Sequence, residues 1–170
     1  MGRATRGIEL ANVKEILATA IEFERFGSEY YSKLKDLVAD EKAKVLMKSL
    51  ATDEKEHASI LEIELTNHGG KPKKPSKELL KKGLAEMFPE KIKKNSIATK
   101  DAISAIKLGI RTEERSIMFY SKNRASSDKK LAKILAKLEK MELAHLALLE
   151  ENLVYLQSDG SWYGYVPILD

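Results

Sequence analysis

The sequence contains no cysteine, only four prolines and one tryptophan, and no long uninterrupted apolar run. The lack of cysteine excludes a disulfide, a thiolate nucleophile, an iron–sulfur cluster and a cysteine-ligated zinc site. Any metal ion must therefore be bound through Glu, Asp or His. No stretch approaches the ~20 apolar residues that cross a bilayer, and residues 1–6 lack the apolar segment of a signal peptide. We therefore expect a cytoplasmic location and no membrane partner.

With 170 residues, of which 43% are hydrophobic and 33% charged, the chain can form one domain with its own core, and we predict a single domain over residues 1–170. Its net charge of +4 is unevenly distributed, because residues 69–100 hold ten Lys and three Glu, which is +7, and the remainder sums to −3. We expect this basic segment to be a solvated face or a docking patch for an acidic electron carrier. Because Phe88 is its only aromatic residue, we expect no nucleic-acid partner.

Apolar residues recur at helical spacing over four stretches of the chain. They predict helices at about 12–38, 40–68, 99–123 and 128–156. Asn12 and Glu15 form a capping box that predicts the start of the first helix, and Asp40 and Asp128 are suited to cap the second and fourth. Gly69 follows the second helix, where a left-handed residue commonly ends a helix.

The stretch between the second and third helices, residues 69–98, contains three prolines and is too long for a tight turn. A helix of about 27 residues is about 40 Å long, and this stretch is long enough to return along it. We predict an all-α fold, a four-helix bundle of two antiparallel helix hairpins joined by a long crossover. Residues 157–170 are predicted to be an aromatic tail that packs on the bundle.

Two Glu-x-x-His motifs stand at matching places on two of these helices. Glu54 and His57 are three residues apart, so both side chains leave the same face of a helix and can bind one ion together. A single motif of this kind is more often a solvated pair. Here the motif is repeated 88 residues later by Glu142 and His145, again on an apolar-striped helix. The repetition favours a metal site.

A further glutamate lies on the apolar face of the helix that precedes each motif. Glu24 lies within the apolar stripe of the first helix, whereas Glu22 lies on the opposite side. On the third helix Glu113 competes with Glu114, and periodicity alone does not separate them. The internal repeat favours Glu113, because Tyr120 follows it by seven residues as Tyr31 follows Glu24. Two related hairpins then make a bundle with pseudo-twofold symmetry, and its axis passes through the metal site.

Four ionised glutamates in a bundle core would repel one another and cost several kcal/mol each in desolvation. Two divalent ions bring the four positive charges that neutralise them. Carboxylate and imidazole ligands suit iron or manganese, and zinc is also compatible. The predicted metal ligands are Glu24, Glu54, His57, Glu113, Glu142 and His145.

This four-part pattern resembles the ferritin-like di-iron carboxylate proteins, and most closely the rubrerythrin-type domain. The resemblance covers about residues 12–156 and is strongest at 24–31, 53–57, 113–120 and 142–145. It implies that Glu54 and Glu142 bridge two metal ions, that Glu24 and Glu113 are terminal carboxylates, and that each histidine binds one ion. Two features depart from full-length rubrerythrins. The chain has no cysteine for a rubredoxin module, and Ser116 occupies the place of an additional glutamate.

The resemblance implies a cofactor of two iron ions and a di-iron oxidoreductase that reduces hydrogen peroxide or dioxygen. Electrons would come from an external donor such as a rubredoxin-like protein, and we expect a homodimer. The alternatives are a ferroxidase or iron-storage protein of ferritin type, and a non-catalytic metal-binding helical bundle. Tyr31 and Tyr120 are expected either to donate hydrogen bonds to the terminal carboxylates or to be ordinary core residues.

Overall fold

The computed structural model describes residues 2–74, 94, 96–125 and 127–165, with side chains described from residue 13 onward. Within them the chain forms four long helices and no strand. The helices are α1 (Gly2–Leu37), α2 (Glu41–Asn67), α3 (Thr99–Arg124) and α4 (Lys129–Ser158). α1 packs along α2 and α3 packs along α4. The predicted all-α, ferritin-like four-helix bundle is confirmed.

Local capping explains where three of the helix ends lie. The Asp40 carboxylate accepts a hydrogen bond from the Ala43 amide, and the Asp128 carboxylate accepts from the Lys130 and Leu131 amides. These bonds satisfy amides that a helix start leaves without partners. α2 ends at Asn67, and two residues later Gly69 has a φ of 71°, the left-handed conformation that glycine adopts at little cost.

The first helix begins earlier than the capping box at Asn12 and Glu15 predicts. α1 starts at Gly2, ten residues before the predicted start at about 12. One capping bond stabilises a helix start by about 1 kcal/mol, and it does not stop a helix when the preceding residues also favour helix. Ala4, Leu10 and Ala11 are good helix formers. The helix therefore continues through Asn12 instead of starting there.

The buried side chains form three layers along the bundle. One apolar cluster, which includes Leu34, Leu46, Ile106 and Leu149, fills one end of the bundle. A second cluster, which includes Leu17, Leu61, Leu131 and Leu135, fills the other end. On every helix the glutamates and histidines singled out in the sequence fall between these clusters. The polar layer is thus closed off from both ends by packed apolar side chains.

The stretch that joins the hairpins is described only at its two ends. The Lys14 ammonium donates to the Gly69 carbonyl at 3.3 Å, and the Arg25 guanidinium donates to the Lys73 carbonyl at 2.7 Å. At the other end the Ile97 amide donates to the Leu37 carbonyl at 3.1 Å. Most of the crossover predicted at 69–98 lies in residues 75–93 and 95, outside the described residues.

The C-terminal tail packs against the bundle, as predicted. Trp162 is buried in the apolar cluster that contains Leu34. The Asn152 side chain accepts from the Gly164 amide at 2.9 Å and donates to the Gly164 carbonyl at 3.0 Å, so one side chain holds both backbone groups. Residues 166–170 lie outside the described part of the chain. Among the described helices, none has the length and apolar character needed to cross a membrane.

Candidate metal centre

The six predicted ligands come together in the middle layer of the bundle, and all are buried. Their exposed fractions are 5% or less. They form two groups in which one donor atom per residue lies within 4.8 Å of the others. The first group is Glu24, Glu54, His57 and Glu142, and the second is Glu54, Glu113, Glu142 and His145. Glu54 and Glu142 belong to both groups and so lie where bridging carboxylates would lie.

The competing carboxylates point away from this layer. Glu22 is exposed and pairs with Arg25, and Glu114 is exposed on α3. Glu24 is 1% exposed and Glu113 is 2% exposed. The structure thus buries the glutamate that the internal repeat favours, Glu113, and exposes Glu114.

Each histidine directs its Nδ1 atom at carboxylate oxygens from both hairpins. His57 Nδ1 lies 3.1 Å from Glu24 Oε2 and 3.0 Å from Glu142 Oε1. His145 Nδ1 lies 3.1 Å from Glu54 Oε1 and 3.1 Å from Glu142 Oε2. The two imidazole rings are stacked, with centroids 5.5 Å apart and planes 16° apart. The donor atoms of both hairpins thus converge on one small volume.

Burial and mutual repulsion shift the pKa values of the buried carboxylates in this layer. Burial raises the pKa of Glu54 and of Glu113, and the nearby Glu142 charge raises both further. Burial alone would also raise the pKa of Glu142, but its contacts with His145 and His57 outweigh burial and lower that pKa to about 2. Of these three carboxylates, Glu142 is therefore the one whose ionised form is favoured.

The histidines respond in the opposite sense. Burial alone would lower the pKa of His57, but its contacts with Glu142 and Glu24 raise it to about 9. The pKa of His145 is also raised, because its contacts with Asp53, Glu142 and Glu54 outweigh burial. In the absence of metal, protons on the imidazoles balance part of the carboxylate charge. A metal ion must displace these protons, since only neutral imidazole can bind it.

Two tyrosines join the hairpins through the terminal carboxylates. The Tyr31 hydroxyl on α1 donates to Glu113 on α3, and the Tyr120 hydroxyl on α3 donates to Glu24 on α1. Both phenols are fully buried. Burial and the neighbouring carboxylates raise the pKa of each tyrosine, so each remains protonated and able to donate. Each phenol orients a carboxylate that belongs to the opposite hairpin.

The outer ring nitrogens of the two histidines have different partners. His145 Nε2 lies 3.3 Å from Asp53 Oδ2, and the Asp53 side chain is 35% exposed. His57 Nε2 is buried and has no hydrogen-bond partner among the described residues. In the internal repeat the position that corresponds to Asp53 is occupied by Met141, which offers no comparable acceptor. The sequence reasoning missed Asp53, although its place beside Glu54 and the unlike residue 88 positions later were visible in the sequence.

Close approach of backbone to the centre explains Gly27. A Cβ atom at Gly27 would lie 3.1 Å from the carboxyl carbon of Glu54, closer than side chains normally pack. An alanine there would press on a carboxylate that belongs to both ligand groups. The absence of a side chain at this position therefore helps to fix the placement of Glu54.

The donor set fits a pair of iron ions. Four carboxylates and two imidazoles at these positions are the ligands that iron and manganese accept. Glu142 Oε1 is buried and, within the described residues, has no properly directed hydrogen bond, which leaves its lone pairs for a cation. The fold and this cluster together define a ferritin-like bundle with a buried carboxylate–histidine centre.

Comparison with known proteins gives the family. The Rubrerythrin family model matches residues 15–153, and the chain therefore belongs to the rubrerythrin family. Among curated proteins, none matches it in sequence.

Two solved structures have a similar fold. A hypothetical protein from Pyrococcus furiosus has a TM-score of 0.62 and 22% identity, and the match covers 88% of this chain and 93% of that one. The bacterioferritin of Desulfovibrio desulfuricans, whose diiron site was captured in different catalytic states, has a TM-score of 0.58 and 18% identity. That match covers 92% of this chain and 86% of the bacterioferritin.

Proposed function

We propose that this protein is a di-iron oxidoreductase that reduces hydrogen peroxide, or dioxygen, with electrons from an external carrier. The observation that carries the proposal is the pair of buried ligand groups that share Glu54 and Glu142, in a chain of the rubrerythrin family. In this assignment Glu54 and Glu142 would be shared by the two ions. Glu24 and His57 complete the ligands of one ion, and Glu113 and His145 complete those of the other.

Two ferrous ions held by these residues would supply one electron each, which together with two protons would convert one hydrogen peroxide into two waters. The protein holds the ions apart from bulk water between two apolar layers. Tyr31 and Tyr120 keep the terminal carboxylates oriented, as hydrogen-bonded neighbours of metal ligands commonly do. The 170 residues of this chain include no cysteine that could hold a rubredoxin-type centre, and we propose that the electrons come from an external carrier of rubredoxin type that docks on a homodimer.

The test begins with the metal content of protein isolated without chelator. About two irons per chain are expected, one for each ligand group. The reduced protein is then mixed anaerobically with hydrogen peroxide in a stopped-flow instrument, and a near-ultraviolet ferric absorption band is expected to form much faster than with free ferrous ion. A rate equal to that of free ferrous ion would contradict catalysis. Two bound zinc or manganese ions without such a band would instead support a non-catalytic metal-binding bundle.

A second function, ferroxidase or iron storage of ferritin type, is favoured by the fold shared with a bacterioferritin. Storage needs a large hollow assembly, because a mineral core does not fit within a single bundle. Gel filtration separates the two functions. A species of one or two chains supports the oxidoreductase, and a shell of many chains that takes up far more than two irons per chain supports storage.

A further inference from the structure

A cleft opens between α1 and α3 beside the metal centre. Its volume is about 390 Å³, within the range of small-molecule sites. α1 contributes Phe23 and Phe26, and α3 contributes polar and cationic side chains with one leucine, Leu108. The cleft is separate from the ligand set, since none of the six glutamates and histidines lines it.

The internal repeat places this cleft near the pseudo-twofold axis. Thr112 and Arg115 correspond to Phe23 and Phe26 at the same 89-residue offset that relates Glu113 to Glu24. Because both members of these two pairs line the cleft, it lies close to the axis that relates the hairpins. The cleft is also beside the helical turns of α1 and α3 that carry Glu24 and Glu113.

The apolar side of the cleft is held in place by aromatic contacts. Phe23 makes an edge contact with Phe119, with ring centroids 5.2 Å apart. Phe26 stacks on Tyr30 at 6.3 Å. Both rings are half-buried, so part of each lines the cleft and the remainder packs against neighbouring side chains. A preformed aromatic surface of this kind binds flat or aliphatic apolar groups at little entropic cost.

The opposite side carries positive charge without matching negative charge. The Arg115 guanidinium lies over the Phe23 ring, 5.3 Å from its centroid. Arg111 is exposed one turn earlier on α3. Neither arginine has a carboxylate partner within the described part of the chain. Two such guanidiniums beside an aromatic surface suit an anionic group attached to an apolar body.

Ser116 forms the end of the cleft nearest the metal centre. It is 5% exposed and lies one helical turn after Glu113. Its hydroxyl makes no hydrogen bond to any described residue, and it lines the cleft. A hydroxyl on the wall of the cleft without a protein partner is available to hydrogen-bond a bound molecule.

We propose that this cleft binds a small organic anion with an apolar or aromatic body, beside the metal centre. The anionic head contacts Arg111 and Arg115, and the apolar body lies on Phe23 and Phe26 and extends toward the Ser116 hydroxyl. Binding needs no redox step, so it stands independently of the peroxide reaction. The ligand class differs from hydrogen peroxide and dioxygen, which carry neither feature.

The test uses 8-anilinonaphthalene-1-sulfonate, an aromatic anion whose fluorescence rises on binding, with the full-length protein as isolated. The double variant Arg111→Gln/Arg115→Gln is expected to bind it about 10 to 100-fold more weakly, because two hydrogen bonds to a charged group are lost. Arg124→Gln is the matched control, since Arg124 lies on the same helix and pairs with Glu139 outside the cleft. The control is expected to bind as the wild type does.

Two further measurements separate the cleft from general surface binding. Ser116→Leu fills the inner end and is expected to weaken the sulfonate by about tenfold, roughly what the loss of one well-placed apolar contact costs. The neutral analogue N-phenyl-1-naphthylamine is expected to bind the wild type more weakly than the sulfonate does, and equally well in the double arginine variant. The proposal is overturned if the arginine variant binds the sulfonate normally, or if the neutral and anionic probes bind alike.

Discussion

The two hairpins supply the candidate metal centre with the same set of side chains in different surroundings. Each contributes a terminal glutamate, a shared glutamate and a histidine, and each receives a tyrosine hydrogen bond from the other hairpin. The outer nitrogen of His145 has Asp53 as its partner, whereas that of His57 has none among the described residues. The counterpart of Asp53 is Met141.

This difference shows which features of the candidate metal centre follow the internal repeat and which do not. Ligand identity and spacing follow the repeat, because two ions need two comparable sets of donors. The residue beside the outer nitrogen of each histidine can differ between the hairpins, since a histidine can bind metal without that partner. A carboxylate that accepts a hydrogen bond from the outer nitrogen of an imidazole fixes the orientation of the ring. It also makes the other nitrogen a stronger metal ligand. We therefore expect the two ligand groups to be alike in donor atoms and to differ in metal affinity.

The largest expected effect comes from removing a residue that both halves share. Glu142→Gln takes a carboxylate from both ligand groups at once, and we expect metal content after dialysis to fall from about two ions per chain to below one. Glu150→Gln, an exposed residue on the same helix, is the control and should retain full content. Loss of only one ion in the Glu142 variant would show that this carboxylate serves one half alone.

The metal-free protein is expected to lose stability as pH rises through neutrality. The raised pKa of His57, about 9 against an ordinary 6.5, stabilises the folded state fully below pH 6.5 and loses that contribution up to about pH 9. The loss is on the order of 3 kcal/mol. Glu54 and Glu113, whose pKa values are also raised, act in the same direction.

The lowered pKa of Glu142 acts in the opposite sense, and its contribution is lost as pH falls from about 4.5 to about 2. Urea denaturation of chelator-treated protein across the pH range measures both the loss of stability above pH 6.5 and the loss below about pH 4.5. His57→Gln and His145→Gln should each flatten part of the fall above pH 6.5, because the pKa of both imidazoles is raised. A variant that leaves the fall unchanged would contradict the contribution of its histidine.

The comparison between halves is tested most directly at Asp53. Asp53→Asn removes the charged acceptor behind His145, and we expect the affinity of the second ligand group to drop by about 10 to 100-fold while the first is unchanged. Titration of metal-free protein with zinc should then resolve two unequal steps. Glu56→Gln, an exposed neighbour on α2, is the control. A uniform weakening of both steps would contradict the assignment of Asp53 to one half.

The tyrosines should show no such difference. Tyr31→Phe and Tyr120→Phe each leave one buried carboxylate without its donor, at a cost of about 1 to 2 kcal/mol in the free energy of unfolding. Because the two bonds are related by the pseudo-twofold axis, the two losses should agree. Urea denaturation of metal-free protein measures them, with Tyr155→Phe as an exposed control. Clearly unequal losses would mean that the asymmetry extends beyond the histidines.

The smallest expected effect is a gain. Met141→Asp places a carboxylate at the repeat counterpart of Asp53, where it can accept from His57 Nε2. We expect the affinity of the first ligand group for zinc to rise by less than about tenfold, so that the two titration steps converge. Met141→Asn, which has the same shape and no charge, is the matched control. Steps that stay as far apart as in the wild type would count against Met141 as the origin of the difference.

The clustering of the six buried glutamates and histidines could be predicted from the sequence, because helical periodicity and the internal repeat are two separate constraints on their positions. Glu24 was separated from Glu22 by its face of the helix, and Glu113 from Glu114 by its distance to Tyr120. Partners that lie on different helices could not be predicted in this way. The contact from Asp53 to His145 crosses between α2 and α4, and it depends on how the hairpins are rotated against each other.

The start of α1 and the cleft escaped prediction for related reasons. A capping motif at Asn12 has the same appearance whether or not the helix continues upstream, and the outcome depends on the sum of small propensities over many residues. The cleft depends on side chains such as Arg115 and Phe23 meeting across two helices. Such contacts depend on how the two helices pack together, which the spacing of residues along one helix does not predict.

The docked tail has a practical consequence for optical work on this protein. Trp162 is the only tryptophan in the chain, and it lies in the apolar layer beside Leu156 and away from the ligand layer. Selective excitation of the indole therefore reports on whether the tail is packed against the bundle. This signal can be followed separately from the unfolding of the helices. A red shift that precedes the loss of helical circular dichroism during heating would mark release of the last residues as a separate, earlier event.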